Sequence, residues 1–242
     1  MLTKTSGIVL RTIKYSDKSS IATVYTREFG RTSYMVYGMS GRKSGHKAAL
    51  FLPLSIIEIN AAHSPEKEVQ QLKEVRSECA LTGISSDPVK NAIALFLSEL
   101  LYKTLRQPEA DKLIFDFLQH AIQLLDQSHD GIANFHLVFM VKYAGFWGFR
   151  PNKENTDLDY FDLQNGVFLK SQPAHPHFLN KDITRLFILL LDMNFDKLHT
   201  LNLSRLKRNE ILDSLIEYYQ LHIPDFHGLN STTVLHELFN ET

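Results

Sequence analysis

The residues most suited to chemistry stand close together near the N-terminus, in Gly38 to Lys47 (GMSGRKSGHK). Three glycines let a backbone approach a ligand closely, and Arg42, Lys43 and Lys47, with His46 beside them, can meet successive phosphates. That suits a nucleic-acid loop; a flexible basic hairpin is the plain alternative. The same run fails as a nucleotide cradle. A P-loop needs glycine immediately before its lysine and another five positions earlier, where this chain has Arg42 and Tyr37. No G-x-G-x-x-G or G-x-S-x-G run occurs, so dinucleotide binding and serine hydrolysis have no anchor. His175 and His177 could offer two imidazoles to a metal, but they sit in a Pro-rich turn without a third ligand nearby, which favours a surface loop. Cys79 is the single cysteine, which excludes an intramolecular disulfide and a cysteine-cluster zinc site. These observations point away from an enzyme, and no metal or cofactor is expected.

Charge agrees with a polyanion partner once the chain is divided. The net charge is −1, yet residues 1–60 hold nine Lys or Arg against three acids, a net of +6, and the rest carries −7. A basic head on an acidic body fits a polyanion-binding module joined to a docking module. The N-terminus lacks the apolar core of a secretory signal and no long apolar run follows, so a cytoplasmic protein is expected.

The elements that would position the basic residues read as short strands. Gly7–Lys14, Ile21–Thr26, Arg31–Tyr37, Leu52–Asn60 and Val69–Val75 are rich in β-branched and aromatic residues and bounded by turn signals, which suggests an OB-like barrel. Tyr15, Tyr25, Phe29, Tyr34 and Tyr37 lie on or beside these strands. An OB barrel stacks bases on aromatics while cations track the backbone, so about two of the five rings should face the ligand. The candidate DNA-binding set is Arg11, Lys14, Lys18, Arg27, Arg31, Tyr34, Tyr37, Arg42, Lys43, His46 and Lys47.

Near Gly83 the texture turns helical. Asp87 before Pro88 is an N-cap signal, and Val89, Ile93, Phe96, Leu97, Leu100 and Leu101 share one face. A second helix carries Leu113, Ile114, Phe117, Leu118, Ala121, Leu124 and Leu125. Further helices are expected over Ile132–Ala144, Ile183–Asp192 and Ser204–Leu221, and from about Ser231. Gln164-Asn165-Gly166 reads as a hairpin turn between Tyr160-Phe161 and Val167-Phe168. The fold class is therefore α+β: a five-stranded OB-fold barrel over residues 1–80, then a mainly helical domain over 81–242 with a cysteine-free hairpin insertion at about 150–180.

Taken in order, these segments resemble the RecO family of recombination mediators. The polar loop Ser16 to Ser19 is followed by T-x-E-x-G (Thr26, Glu28, Gly30), a small and basic loop (Gly38, Arg42, Lys43, Ser44) and an L-x-P strand (Leu52 to Leu54). Leu97 to Leu101 is similar to the family's E-L-L helix. Phe135 through Gly145 to Pro151 resembles its F-x-L helix and aromatic G-[FY]-x-P ending. Leu229-Asn230-Ser231 with Leu235 and Leu238 resembles its closing helix.

The resemblance implies a non-enzymatic protein that binds single- and double-stranded DNA and anneals complementary strands. With RecR it would load RecA onto DNA coated by single-stranded-DNA-binding protein (SSB), whose acidic C-terminal tail would dock on the helical domain. A cytoplasmic, nucleoid-associated location follows. Two departures stand out. Many members carry four zinc-binding cysteines just after the aromatic-Pro segment, where Lys153 to His177 has none, so no structural zinc is expected. Members that bind the tail often have arginines before the F-x-L helix, where this chain has Ala133-Asn134; Arg106 and Lys142 are the substitutes, or else solvated helix charges. An OB-fold RNA-binding protein, and an adaptor whose barrel binds an acidic partner, remain the alternatives.

Overall fold

The computed structural model describes residues 2–39, 45–64, 66–107 and 109–238. The chain forms two compact units, residues 1–126 and 127–242.

The first unit is built on a closed five-stranded barrel of OB type. Its strands are β1 (Leu2–Lys14), β2 (Ser19–Thr26), β3 (Gly30–Tyr37), β4 (Ile56–Ala62) and β5 (Val69–Ser77), ordered β1-β2-β3-β5-β4. The long β1 closes the barrel by pairing with β2 through its second half and β4 through its first. All pairings are antiparallel except β3 with β5. Alternation sends Val9, Ala22, Val24, Tyr34, Val36, Ile57, Ile59 and Ala61 inward, with Phe51 among them. Gly7 is required by this closure, because a Cβ there would stand 2.5 Å from Val24 Cγ1.

The fourth strand starts later than its alternation predicts. Residues 52–55 form a turn in which Leu54, at φ 62°, donates its N–H to Val9 O (2.8 Å), while Val9 N donates to Ser55 O (3.0 Å). Pro53 lacks a ladder donor, and the buried Leu54 and Phe51 close the barrel instead of extending the sheet. A short helix that periodicity had not revealed, α1 (Gly45–Ala49), precedes this turn.

Two long helices complete the first unit after the short α2 (Thr82–Ser86). The Asp87 carboxylate accepts from Val89 N (2.8 Å) and Lys90 N (3.2 Å) to cap α3 (Pro88–Thr104). Ile93, Phe96, Leu97, Leu100 and Leu101 are buried as their spacing predicts. In α4 (Lys112–Gln127) Ile114, Leu118, Ala121 and Leu125 are buried as expected, but the buried face is rotated slightly from the predicted one. Phe115 and Ile122 are inside and Leu113 is exposed, because Phe115 stacks on Tyr25 of the barrel at 6.4 Å.

The second unit wraps a nearly fully buried helix, α5 (Phe135–Ala144), with α6 (Lys181–Leu191) and α7 (Arg205–His222) packed on it. The expected start at Ile132 is a 3-10 turn. Asn180 caps α6 and Ser204 caps α7, and α8 (Thr232–Leu238) follows.

The cysteine-free insertion is a small sheet of β6 (Tyr160–Asp162), β7 (Val167–Leu169) and β8 (Phe178–Leu179). The predicted turn joins β6 to β7. Buried Asp162 accepts from Gln164 N (2.8 Å), Asn165 N (3.1 Å) and Asn165 Nδ2 (2.7 Å), and Gly166 supplies φ 68°. Phe161 packs against Phe168, Phe187 and Tyr218. Aromatic packing and one buried carboxylate thus hold this segment. Among the described residues no helix is long and apolar enough to cross a membrane.

Candidate nucleic-acid interface

The outer face of β1, β2 and β3 divides into a covered half and an open half. A bulge at Leu10 resets the alternation of β1, so that Arg11 pairs with Thr23 and Ile13 with Ile21. Pairing of β2 with β3 continues these rows to Ser33 and Met35, and sets Tyr25 opposite Arg31 and Ser19 opposite Tyr37. Tyr15, one residue past β1, donates its N–H to Ser19 O (3.0 Å) and so extends the last row.

The Tyr25–Arg31 end lies beneath the helices. Arg31 Nη1 donates to the carbonyls of Tyr102 (2.7 Å) and Leu105 (3.0 Å), and its guanidinium lies 4.4 Å from the Tyr102 ring centroid. Burial lowers its pKa. Arg11 lies 4.9 Å from the same ring. Tyr25 is buried with its hydroxyl at Asp111 O (3.4 Å), and burial raises its pKa. Arg27 pairs with Asp116 of α4 and lies over Phe115. Arg27 and Arg31 thus hold helix to barrel.

Tyr34 requires a correction. It is 0% exposed inside the barrel, with its hydroxyl 2.6 Å from His63 Nε2, and burial drives its pKa far up. Its position alternates inward with Val36, so it cannot stack on a base. Phe29 stacks on His63 at 3.7 Å. Of the five rings only Tyr15 (65% exposed) and Tyr37 (58%) stand in the open, with Ile13 (44%) between them and the covered half. Tyr15 is one of the five rings the sequence marks but stands outside the candidate DNA-binding set. Its signal was proximity to the Ser16–Ser19 loop, whose place beside the end of β3 only the fold reveals.

The other candidates are distributed as follows. Arg11, Lys14, Lys18 and His46 are exposed and Lys47 is half-buried. Lys14 pairs with Asp17 (2.9 Å), whereas Lys18 and Lys47 form no ion pair among the described residues. Arg42 and Lys43 lie outside the described residues. Arg106 donates to Lys103 O (2.9 Å) in the first unit.

Lys142 belongs to the second unit. It donates to Asn194 Oδ1 (2.8 Å) and stands 6.0 Å from the Phe195 ring centroid. Burial lowers its pKa, and the charges of Arg150 and Lys153 lower it further against the opposing Asp196. At Asn134, where the sequence has no neighbouring arginine, α7 supplies one: Arg208 Nε donates to Asn134 Oδ1 (3.0 Å). His175 lies 3.4 Å from Asp162, and His177 is bonded to Glu217. No group of three or more metal-ligating side chains occurs among the described residues.

The comparisons with known proteins cover both parts of the chain. The family described as "Recombination protein O N terminal" matches residues 1–78 and that described as "Recombination protein O C terminal" matches residues 85–231. The chain is 41% identical over 241 residues to the DNA repair protein RecO of Phocaeicola vulgatus. It is 37% identical over 243 residues to that of Azobacteroides pseudotrichonymphae, and 36% over 242 to that of Flavobacterium psychrophilum. Each alignment spans 99% of this chain and the whole of the relative. With a five-stranded barrel leading into helices and both halves matched in order, the chain belongs to the RecO family of DNA repair proteins.

Proposed function

We propose that this protein is a non-enzymatic, cytoplasmic and nucleoid-associated recombination mediator. It binds single- and double-stranded DNA, anneals complementary strands and, with RecR, helps load RecA onto SSB-coated single-stranded DNA. The observation that supports this reading best is the open strip of the barrel. Exposed aromatic rings stand there, with the exposed Lys14 and Lys18 flanking Tyr15 along the chain, on a head whose first 60 residues carry a net charge of +6. Annealing and displacing a competitor are equilibrium tasks. Neutralising phosphates and releasing counterions is enough to drive them, without covalent chemistry. For the acidic SSB tail, Lys142 over Phe195, close enough to Arg150 to feel its charge, supplies cations next to an apolar ring, while Lys153 is paired with Asp192; this combination suits carboxylates flanked by apolar side chains.

The test is strand annealing. Two complementary oligonucleotides coated with SSB should pair faster when the protein is added, and the acceleration should fade as salt rises. No acceleration at any salt concentration, despite measurable binding of the protein to bare single strands, would remove the mediator role.

A further inference from the structure

We propose that Tyr15 and Tyr37 form a two-ring platform for unpaired bases, which makes this part of the barrel a single-strand subsite that duplex DNA does not use. The proposal rests on the DNA-binding reading above and deepens it.

Tyr15 and Tyr37 flank Ser19 on the outer face: Ser19 pairs with Tyr37 on one side and its carbonyl accepts from Tyr15 N on the other. The two rings are thus separated by two inter-strand spacings, about 10 Å at the backbone. Ser19 is small and buried, with its hydroxyl 2.6 Å from that of Ser16, so short side chains close the floor between the rings and no third large side chain is contributed by the strand that separates them. Among the described residues neither ring stacks on another side chain and neither hydroxyl is hydrogen-bonded.

Exposed rings of this size have no role in the barrel core, and the half-buried Ile21 and Met35 with the exposed Ile13 continue the apolar floor behind them. The charges nearest the rings are Lys14 and Lys18, which flank Tyr15 along the chain, with Asp17 the single acid of the adjoining loop, paired to Lys14; Arg11 lies beyond Ile13, at the covered end beside Tyr102. A floor of π-faces and aliphatic groups with a cationic rim matches a ligand that is flat and apolar in its bases and anionic in its backbone. A duplex keeps its base faces stacked inside and could meet the rim alone. The other end of the same face is closed by Tyr102 and by the contacts of Arg31 and Tyr25, so the platform is short and each ring takes one base.

The experiment uses the full chain and two labelled probes, a 20-nucleotide oligothymidylate and a 20-base-pair duplex, titrated at several salt concentrations. A Tyr15→Ala, Tyr37→Ala double variant should bind the single strand at least about tenfold more weakly, given the usual strength of base–aromatic stacking. Its duplex affinity should stay within about twofold, and the salt slope for the single strand should not change. The Tyr15→Phe, Tyr37→Phe double variant should retain single-strand affinity, since stacking needs the ring and not the hydroxyl.

An independent measurement on the unmodified chain guards against a folding defect. An oligonucleotide carrying 5-iodouracil, irradiated in the complex, should crosslink to Tyr15 or Tyr37 on peptide mapping. Unchanged single-strand affinity in the alanine variant, while substitution of the loop cations still weakens binding, would overturn the platform and leave DNA binding intact. Equal losses for single strand and duplex would also overturn it. If the unmodified protein binds neither probe, both readings fall.

Discussion

At the residue scale, a cation's neighbours decide its role, and those neighbours are distant in sequence. Arg31 and Lys47 are both basic residues of the N-terminal head. Yet Arg31 spends its donors on the carbonyls of Tyr102 and Leu105, more than 70 positions away, while Lys47 forms no ion pair among the described residues. Replacing Arg31 by alanine is expected to lower stability by about 1.5–3 kcal/mol, since hydrogen bonds to a charged group are lost. The salt slope of single-strand binding should be unchanged. Urea melts and salt titrations of the one variant check both halves. Replacing Arg42, Lys43 and Lys47 together by alanine should do the reverse. The slope of log K against log salt for single-stranded DNA shrinks by about 2, at roughly 0.7 per phosphate contact, and stability changes by no more than about 0.5 kcal/mol. An unchanged slope would move the phosphate contacts to Arg11, Lys14 and Lys18. The five aromatic rings show the same limit: alternation could assign them to faces only once the bulge at Leu10 and the inward row of Tyr34 and Val36 were known.

At the scale of elements, local signals carried far. The Asp87-Pro88 start, the Ser204 cap and the Gln164-Asn165-Gly166 turn all stand where the residue types predict, because each needs only chemistry within a few positions. Residues 52–55 and the exact face of α4 depart from their local pattern for the opposite reason. Their geometry is imposed by Val9 and by the Tyr25–Phe115 contact. The sequence also left unmarked the buried histidine of α5. His136 is 0% exposed, and burial, with Arg208 and His236 adding to it, holds its pKa at about 3 instead of 6.5. Below pH 6.5 the unfolded chain therefore binds a proton that the folded one refuses, so this contribution is complete above about 6.5 and is lost on acidification. Stability should fall by up to about 1.4 kcal/mol for each pH unit between those limits. A His136→Leu variant should show a flatter pH profile in urea melts from pH 7 to pH 4. An identical slope in the variant would assign the acid sensitivity to other groups.

At the scale of the whole molecule, the drop in strand texture near residue 80 and the end of the first compact unit at residue 126 are different boundaries. The outer surface of the barrel contributes Ile8, Leu10 and Tyr25, all at most 2% exposed, and α3 packs on β1. A fragment of residues 1–126 is therefore expected to melt cooperatively and bind single-stranded DNA, whereas a fragment of residues 1–80 exposes that apolar surface and loses the contacts of Arg31. Thermal melts by circular dichroism on the two fragments decide it; a cooperative transition of the shorter piece at the same temperature would contradict the expectation. The sequence by itself determined the barrel, the helices that follow, the charge asymmetry and the family, because alternation, capping residues and composition act over short stretches of chain. Only the tertiary structure decided which basic and aromatic residues face outward. Strand register, one bulge and the packing of α3 and α4 settle that, and these depend on contacts between residues far apart in the chain.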